Sequence, residues 1–279
     1  MIVVTAASDE YRACLHQYLS GVERWRITRE YVHLAYDLGL APAHRRLLEA
    51  RFPWCTFRDF DASIYPPHVA CRGNYAWKPA IICEVLSQTR EVVLWMDSAN
   101  VVTSDLREVD SVARSAGTFT LQGQASLRER CDAGVRARLT VPLGVCDAPE
   151  RVTTACAFSG ADPVVLELVT RWRDLCMDPT LLVPERPSTG RHMWEQAILG
   201  CLLLTAAHEG RLTLNADDVD ISSPSPTRLM TTRNKVSPSL PLWAHPAARA
   251  FYWLYKRVDQ EFIRRRRDRT AGVLRSQEH

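Results

Sequence analysis

Through the first hundred residues, short and almost wholly apolar runs alternate with longer segments whose apolar positions recur every three or four residues. Runs of the first kind are strands covered on both faces, and segments of the second kind are the helices that cross between them. The alternation predicts an α/β fold, a mostly parallel, Rossmann-like central sheet with flanking helices. Predicted strands are Ile2 to Ala6, Tyr31 to Tyr36, Trp54 to Phe60 and Glu91 to Met96. Ser8 can cap a helix from Asp9 to Leu19, and Pro42 opens another through Ala50. Beyond Asp97 the pattern is less regular. Gly117 to Gln122, Leu139 to Gly144 and Thr154 to Phe158 read as strands, and Asp162 to Asp174 as an amphipathic helix. A Pro-rich loop from Pro179 to Gly190 leads into the most apolar helix, His192 to Ala207. Asp217 to Pro241 reads as loop with short strands, and an aromatic, basic helix runs from Pro246 to about Arg267.

No internal repeat or composition break divides the chain, so its 279 residues are expected to form one domain. A formal charge of +3 is too small to suggest nucleic acid as a partner. Nine cysteines are scattered without a Cys-x-x-Cys pair, which speaks against a disulfide framework or a zinc site and for a reducing compartment. The first residues lack the basic start and apolar length of a signal peptide, and no run reaches the ~18 apolar residues of a membrane span. A soluble, cytoplasmic protein is the expectation. Oligomeric state leaves no mark in the sequence.

Candidate chemistry gathers where strands end. Asp97 leaves a buried strand at the edge where open α/β sheets bind ligands, and a carboxylate there suits a divalent cation. Asp37 ends the second strand in Asp37-Leu38-Gly39, which is also a common turn signal. Lys78 precedes the helix feeding the Asp97 strand, where an ammonium beside a helix start favours phosphate. His192, Glu195 and Gln196 share one face at the start of the apolar helix, expected to be its exposed side, while Trp194, Ile198 and Cys201 pack inward. Ser159-Gly160 joins a strand to a helix, with room for a close ligand or simply a turn.

Taken in order, several of these blocks resemble the GT-A superfamily of glycosyltransferases, the nucleotide-diphospho-sugar transferases. They are Ile2 to Ser8, Tyr36-Asp37-Leu38-Gly39-Leu40, Tyr75-Ala76-Trp77-Lys78-Pro79, Trp95-Met96-Asp97-Ser98 and Arg191-His192-x-x-Glu195-Gln196. The resemblance implies a transferase that moves a hexose-like sugar from a nucleotide sugar, a UDP-sugar above all, to a hydroxyl of a glycan or lipid-linked acceptor. It further implies a donor-binding half at residues 1–110, an acceptor and catalytic half at 111–245, and a closing helix and tail at 246–279. Thr5, Ala6, Ser8 and Asp37 would meet the nucleoside; Lys78, Ser98, Ser159, Gly160, Arg233 and Lys235 would meet the diphosphate or sugar. A manganese or magnesium ion would sit on Asp97 with Asn100 and His245, although the family's usual Asp-x-Asp is here Asp97-Ser98-Ala99. Glu195, with His192 and Gln196, would be catalytic, as a general base if configuration inverts or as a transition-state stabiliser if it is retained; the neighbouring glutamine leans toward retention. The closing helix, with Phe251 to Tyr255, Arg264 to Arg267 and Arg269, suits contact with a membrane surface or an anionic partner, or packing of its aromatics on the core. Two rivals differ in chemistry: a sugar-phosphate nucleotidyltransferase, which would want a glycine-rich loop after the first strand, and a catalytically inactive glycosyltransferase-like binding protein.

Overall fold

The computed structural model describes residues 1–102, 105–185, 187–188, 192–217 and 229–231. These belong to one compact unit spanning residues 1–235. In chain order the elements are β1 (Ile2–Ala7), α1 (Arg12–Arg24), β2 (Val32–Asp37), α2 (Pro42–Arg51), β3 (Cys55–Asp59), α3 (Trp77–Thr89), β4 (Val92–Met96) and β5 (Asn100–Val102). They continue with α4 (Arg107–Ala116), β6 (Thr118–Ser126), α5 (Leu127–Arg130), α6 (Ala133–Arg138), β7 (Pro149–Ser159), α7 (Pro163–Cys176), α8 (Pro179–Leu182), α9 (Trp194–His208) and β8 (Leu229–Thr231). Among the described residues no helix is long and apolar enough to cross a membrane.

Six strands form one sheet in the order β3-β2-β1-β4-β7-β6, and β5 pairs with β8 apart from it. β1 to β4 run parallel, whereas β7 is antiparallel to β4 and β6 antiparallel to β7. The central strands are buried along their whole length, and alternate residues feed two separate cores. Val4, Ala6, Val93 and Trp95 face the layer built by α3, α7 and α9, while Val3, Ala7, Leu94 and Met96 face the layer of α1 and α4. Helix α9 is buried around nearly its full circumference, as its apolar sequence demands.

Two expectations fail here. Leu139 to Gly144 is no strand: Leu139 follows the end of α6, Thr140 adopts φ 52°, and residues 143–145 form a single 3-10 turn. The N–H groups of Leu139, Thr140 and Val141 donate back to the carbonyls of Val135, Ala137 and Arg136, so the segment closes α6 as a turn and has no strand to pair with among the described residues. Ser159 and Gly160 do not approach the ligand edge of the sheet. Because β7 runs antiparallel, Ser159 pairs with Val92 at the start of β4, and the Gly160 N–H donates to the Glu91 carbonyl at 2.9 Å. A Cβ at Gly160 would stand 2.8 Å from the Arg90 backbone. Glycine is needed there for chain against chain, with no ligand involved. Gly160→Ala is therefore expected to cost about 1–3 kcal/mol in urea unfolding.

Candidate functional site

The chain builds β1, β2 and β3 outward in one direction and then returns to place β4 on the other side of β1. The carboxyl ends of β1 and β4 therefore part, and open α/β sheets bind ligands in the crevice this leaves. A cavity of about 420 Å³ lies there. Its walls come from the exit of β1 (Ala6, Ala7, Ser8), the exit of β4 (Asp97, Ser98), and the first turns of α3 (Lys78) and α9 (Glu195, Gln196). Strand β7 adds Thr153 and Thr154, brought opposite Asp97 by its antiparallel course; the Asp97 N–H donates to the Thr154 carbonyl at 2.8 Å.

At the centre is Lys78, 2% exposed, whose Nζ is 3.0 Å from Asp97 Oδ1 and 3.3 Å from Glu195 Oε1. The ammonium also donates to the Thr153 carbonyl and Oγ1, each at 3.3 Å. Trp95 donates its indole N–H to the same Asp97 oxygen at 2.7 Å, and the Thr153 hydroxyl donates to Glu195 Oε1 at 2.8 Å. Gln196 is fixed at both ends of its amide, donating to Glu150 Oε2 at 2.6 Å and accepting the Thr153 N–H at 3.3 Å. Burial alone would lower the Lys78 pKa, but Asp97 and then Glu195 outweigh it and hold it above its ordinary value. Burial raises the Glu195 carboxyl, and Lys78 offsets part of that rise. The buried position of Glu195 and Gln196 corrects the expectation of an exposed face. The N-terminal turn of α9 is covered by β7 and α7, with Trp172 donating to the Glu195 carbonyl at 2.8 Å.

Aromatic rings close one side. Trp194 is half-buried, packing against the core and also lining the cavity, with its ring centroid 5.6 Å from that of Tyr75, which in turn lies 5.9 Å from Trp77. Tyr75 and Trp194 both hold positive φ, 60° and 42°. Such backbone costs of order 1–3 kcal/mol per residue and persists where surrounding contacts over-determine it. Each strained residue stands at the start of the helix that delivers a charged group, Lys78 or Glu195.

Other predicted site residues lie elsewhere or are already engaged. Asp37 accepts the N–H groups of Gly39 and Leu40 at 2.7 and 2.6 Å and pairs with Arg45, so its carboxylate builds the turn after β2 and no ligand is needed to explain it. Thr5 is enclosed within the sheet, one residue short of the cavity wall. His192 is buried outside that wall, its Nδ1 accepting the Asp132 N–H at 3.2 Å. Ser159 and Gly160 are at the far end of the sheet. Arg233, Lys235, His245 and the Pro246 to Arg267 helix fall outside the described residues.

A divalent cation does not fit the donor set described. Asn100 turns its amide to the Thr154 carbonyl at 2.6 Å, and no group of three His, Cys, Asp or Glu side chains suited to a metal occurs among the described residues. The inner oxygen of Asp97 already receives an ammonium and an indole N–H.

Sequence reasoning missed Arg72. It lines the cavity from the turn before α3, its carbonyl held by the Trp77 indole N–H at 3.2 Å. Lys78 is matched by two carboxylates, whereas Arg72 is the more exposed cation of the wall. The available signal was the polar turn Cys71-Arg72-Gly73-Asn74 directly before the Tyr-Ala-Trp-Lys-Pro block.

The six-stranded α/β architecture is that of the GT-A glycosyltransferase fold. Among solved structures, the WbbM bifunctional glycosyltransferase shares it at a TM-score of 0.51 and 13% identity, over 72% of this chain and 37% of that one. The galactosyltransferase LgtC in complex with donor and acceptor sugar analogues aligns at 0.48 and 17% identity, over 72% and 70% of the two chains. Mouse xyloside xylosyltransferase 1 aligns at 0.49 and 9% identity, over 86% and 99%. Residues 1–83 match the family described as protein of unknown function (DUF1647). No curated protein matches in sequence.

Lys78→Met should leave Asp97 and Glu195 facing one another in a buried space, a loss of about 3–5 kcal/mol at neutral pH. The sign of its pH dependence follows from Glu195. A carboxyl raised in the folded chain favours folding at acid pH, and that favour is lost as pH rises through the folded value. Without Lys78 the carboxyl rises further. Urea unfolding should thus show a larger gap between parent and variant at about pH 8 than at about pH 5.

Proposed function

We propose that the chain is a glycosyltransferase that moves a sugar from a nucleotide-diphosphate donor, a UDP-sugar, to a hydroxyl of a glycan or lipid-linked acceptor. The observation that carries this reading is the single cavity at the β1/β4 crevice. It joins the strand-exit backbone of Ala6 to Ser8, the carboxylates Asp97 and Glu195 and the basic Arg72 within a glycosyltransferase fold. A nucleoside fits the exit of β1, where the small Ala6, Ala7 and Ser8 allow close approach. Arg72 is the cation proposed to meet the diphosphate, since a guanidinium recognises phosphate oxygens in pairs. The sugar would lie over Glu195 with an apolar face toward Trp194 and Tyr75.

In this reading Glu195 acts as a fixed negative charge. Its Oε1 is held by Lys78 and Thr153, which orients the carboxylate before substrate arrives. A preorganised anion beside the anomeric carbon stabilises the oxocarbenium-like transition state of transfer with retention. Gln196, locked by Glu150 and Thr153, keeps the first turn of α9 in register. Ala99, where the family carries a second acid, favours one alternative: a donor-binding protein without turnover.

A hydrolysis screen over a panel of nucleotide sugars tests the proposal, with nucleoside diphosphate release as the signal. Binding of UDP with no release from any donor would favour the binding protein; absence of both would overturn the donor site. Glu195→Gln is expected to cut turnover roughly 100-fold while donor affinity persists, and the product anomer by NMR should match the donor. An inverted product would remove the assigned role. Arg72→Ala should weaken UDP by about tenfold or more, as a charge-assisted bond of ~1.5–3 kcal/mol requires, and leave uridine affinity unchanged. Equal losses for UDP and uridine would show that Arg72 does not face phosphate.

A further inference from the structure

We infer that the Lys78 ammonium is a built-in cation that occupies an oxygen cage of the kind a divalent ion would otherwise take, so that the site works without bound metal. The inference deepens the donor-site reading, on which it rests for the meaning of the cavity, but its basis is the geometry around one atom. Nζ of Lys78 has four oxygens about it: Asp97 Oδ1 at 3.0 Å, and Glu195 Oε1, the Thr153 carbonyl and Thr153 Oγ1 each at 3.3 Å. Two carboxylates, a carbonyl and a hydroxyl are the donors that hard cations prefer. An ammonium has three protons to give and accepts nothing, so it satisfies this cage as a tethered point charge.

The surroundings hold the ammonium in place. Tyr75 and Trp95 present rings 5.4 and 5.6 Å from Nζ, and ring faces attract a cation. The stem of Lys78 leaves from the first turn of α3, anchored by its own N–H to the Tyr75 carbonyl at 2.9 Å. Asp97 is steered toward the lysine by Trp95, whose indole N–H lies on the same carboxylate oxygen. Lysine at position 78 and alanine at position 99 then belong together. The protein carries its positive charge on the chain and has one acid fewer to hold an ion from solution.

The test uses manganese alone as the probe, followed by EPR of the free ion with the whole 279-residue chain. Wild type should leave the free signal unchanged, and Asp97→Asn should behave the same. Lys78→Met, which empties the cage but keeps Asp97 and Glu195, should take up one ion per chain. Adding Asp97→Asn to it should abolish that uptake. The melting temperature of Lys78→Met should rise by about 5 °C or more at ~100 times Kd, with no rise for wild type. Uptake of manganese by wild type that Asp97→Asn removes would overturn the inference, as would a folded Lys78→Met that binds none. If Lys78→Met does not fold, the comparison of wild type with Asp97→Asn decides. Because no nucleotide is present, the result stands apart from the nucleotide-sugar screen, whose failure would instead remove the donor reading.

Discussion

The contact of Lys78 with Asp97 and Glu195 is the constraint on which the site depends. It joins the first turn of α3, the exit of β4 and the first turn of α9, three pieces separated by long stretches of chain. Thr153 of β7 completes it through both its carbonyl and its hydroxyl. A buried acid and base beside the half-buried Asp97 are costly unless each finds partners, and here Trp95, Thr153 and the ammonium supply them. The same bonds that offset the cost also aim the carboxylates at the cavity.

The sheet makes this meeting possible by changing direction. Four parallel strands bring the ends of β1 and β4 to one edge, and the antiparallel β7 then enters at that edge instead of leaving by it. Thr153 and Thr154, midway along β7 where it passes the end of β4, become cavity wall, while Ser159 and Gly160 at its exit become a tight crossing with Arg90 and Glu91. Strained backbone at Tyr75 and Trp194 follows from the same assembly. Both residues turn the chain sharply just ahead of a charged group, and the aromatic contact between them helps to hold the two turns.

Much of the fold was legible in the residues because burial on both faces leaves a local signature. The run Ile2 to Ala6, apolar but for Thr5, and the wholly apolar Val92 to Met96 could only be interior strands, and the apolar length of α9 could only be a core helix. Asp97 at a strand exit, Lys78 at a helix start and Glu195-Gln196 at another were visible for the same reason, since local pattern sets where an element begins and ends.

Direction, partnership and depth were decided by tertiary structure alone. Nothing within Thr154 to Gly160 tells whether the strand runs with or against β4, so the sequence leaves Ser159 and Gly160 open as ligand contact or plain turn, and the antiparallel pairing makes them the turn. Helical spacing grouped His192 with Glu195 and Gln196, but α7 and β7 cover that turn, burying the acid and leaving His192 outside the cavity wall. Asp37 looked available until the turn after β2 used its oxygens, and Arg72 looked like loop until the Trp77 indole fixed its backbone at the rim. Sequence by itself determined the strands, the helices and the presence of charged groups at their ends. Only the packed chain determined which charges face each other, because that depends on contacts between residues far apart in sequence that no local pattern records.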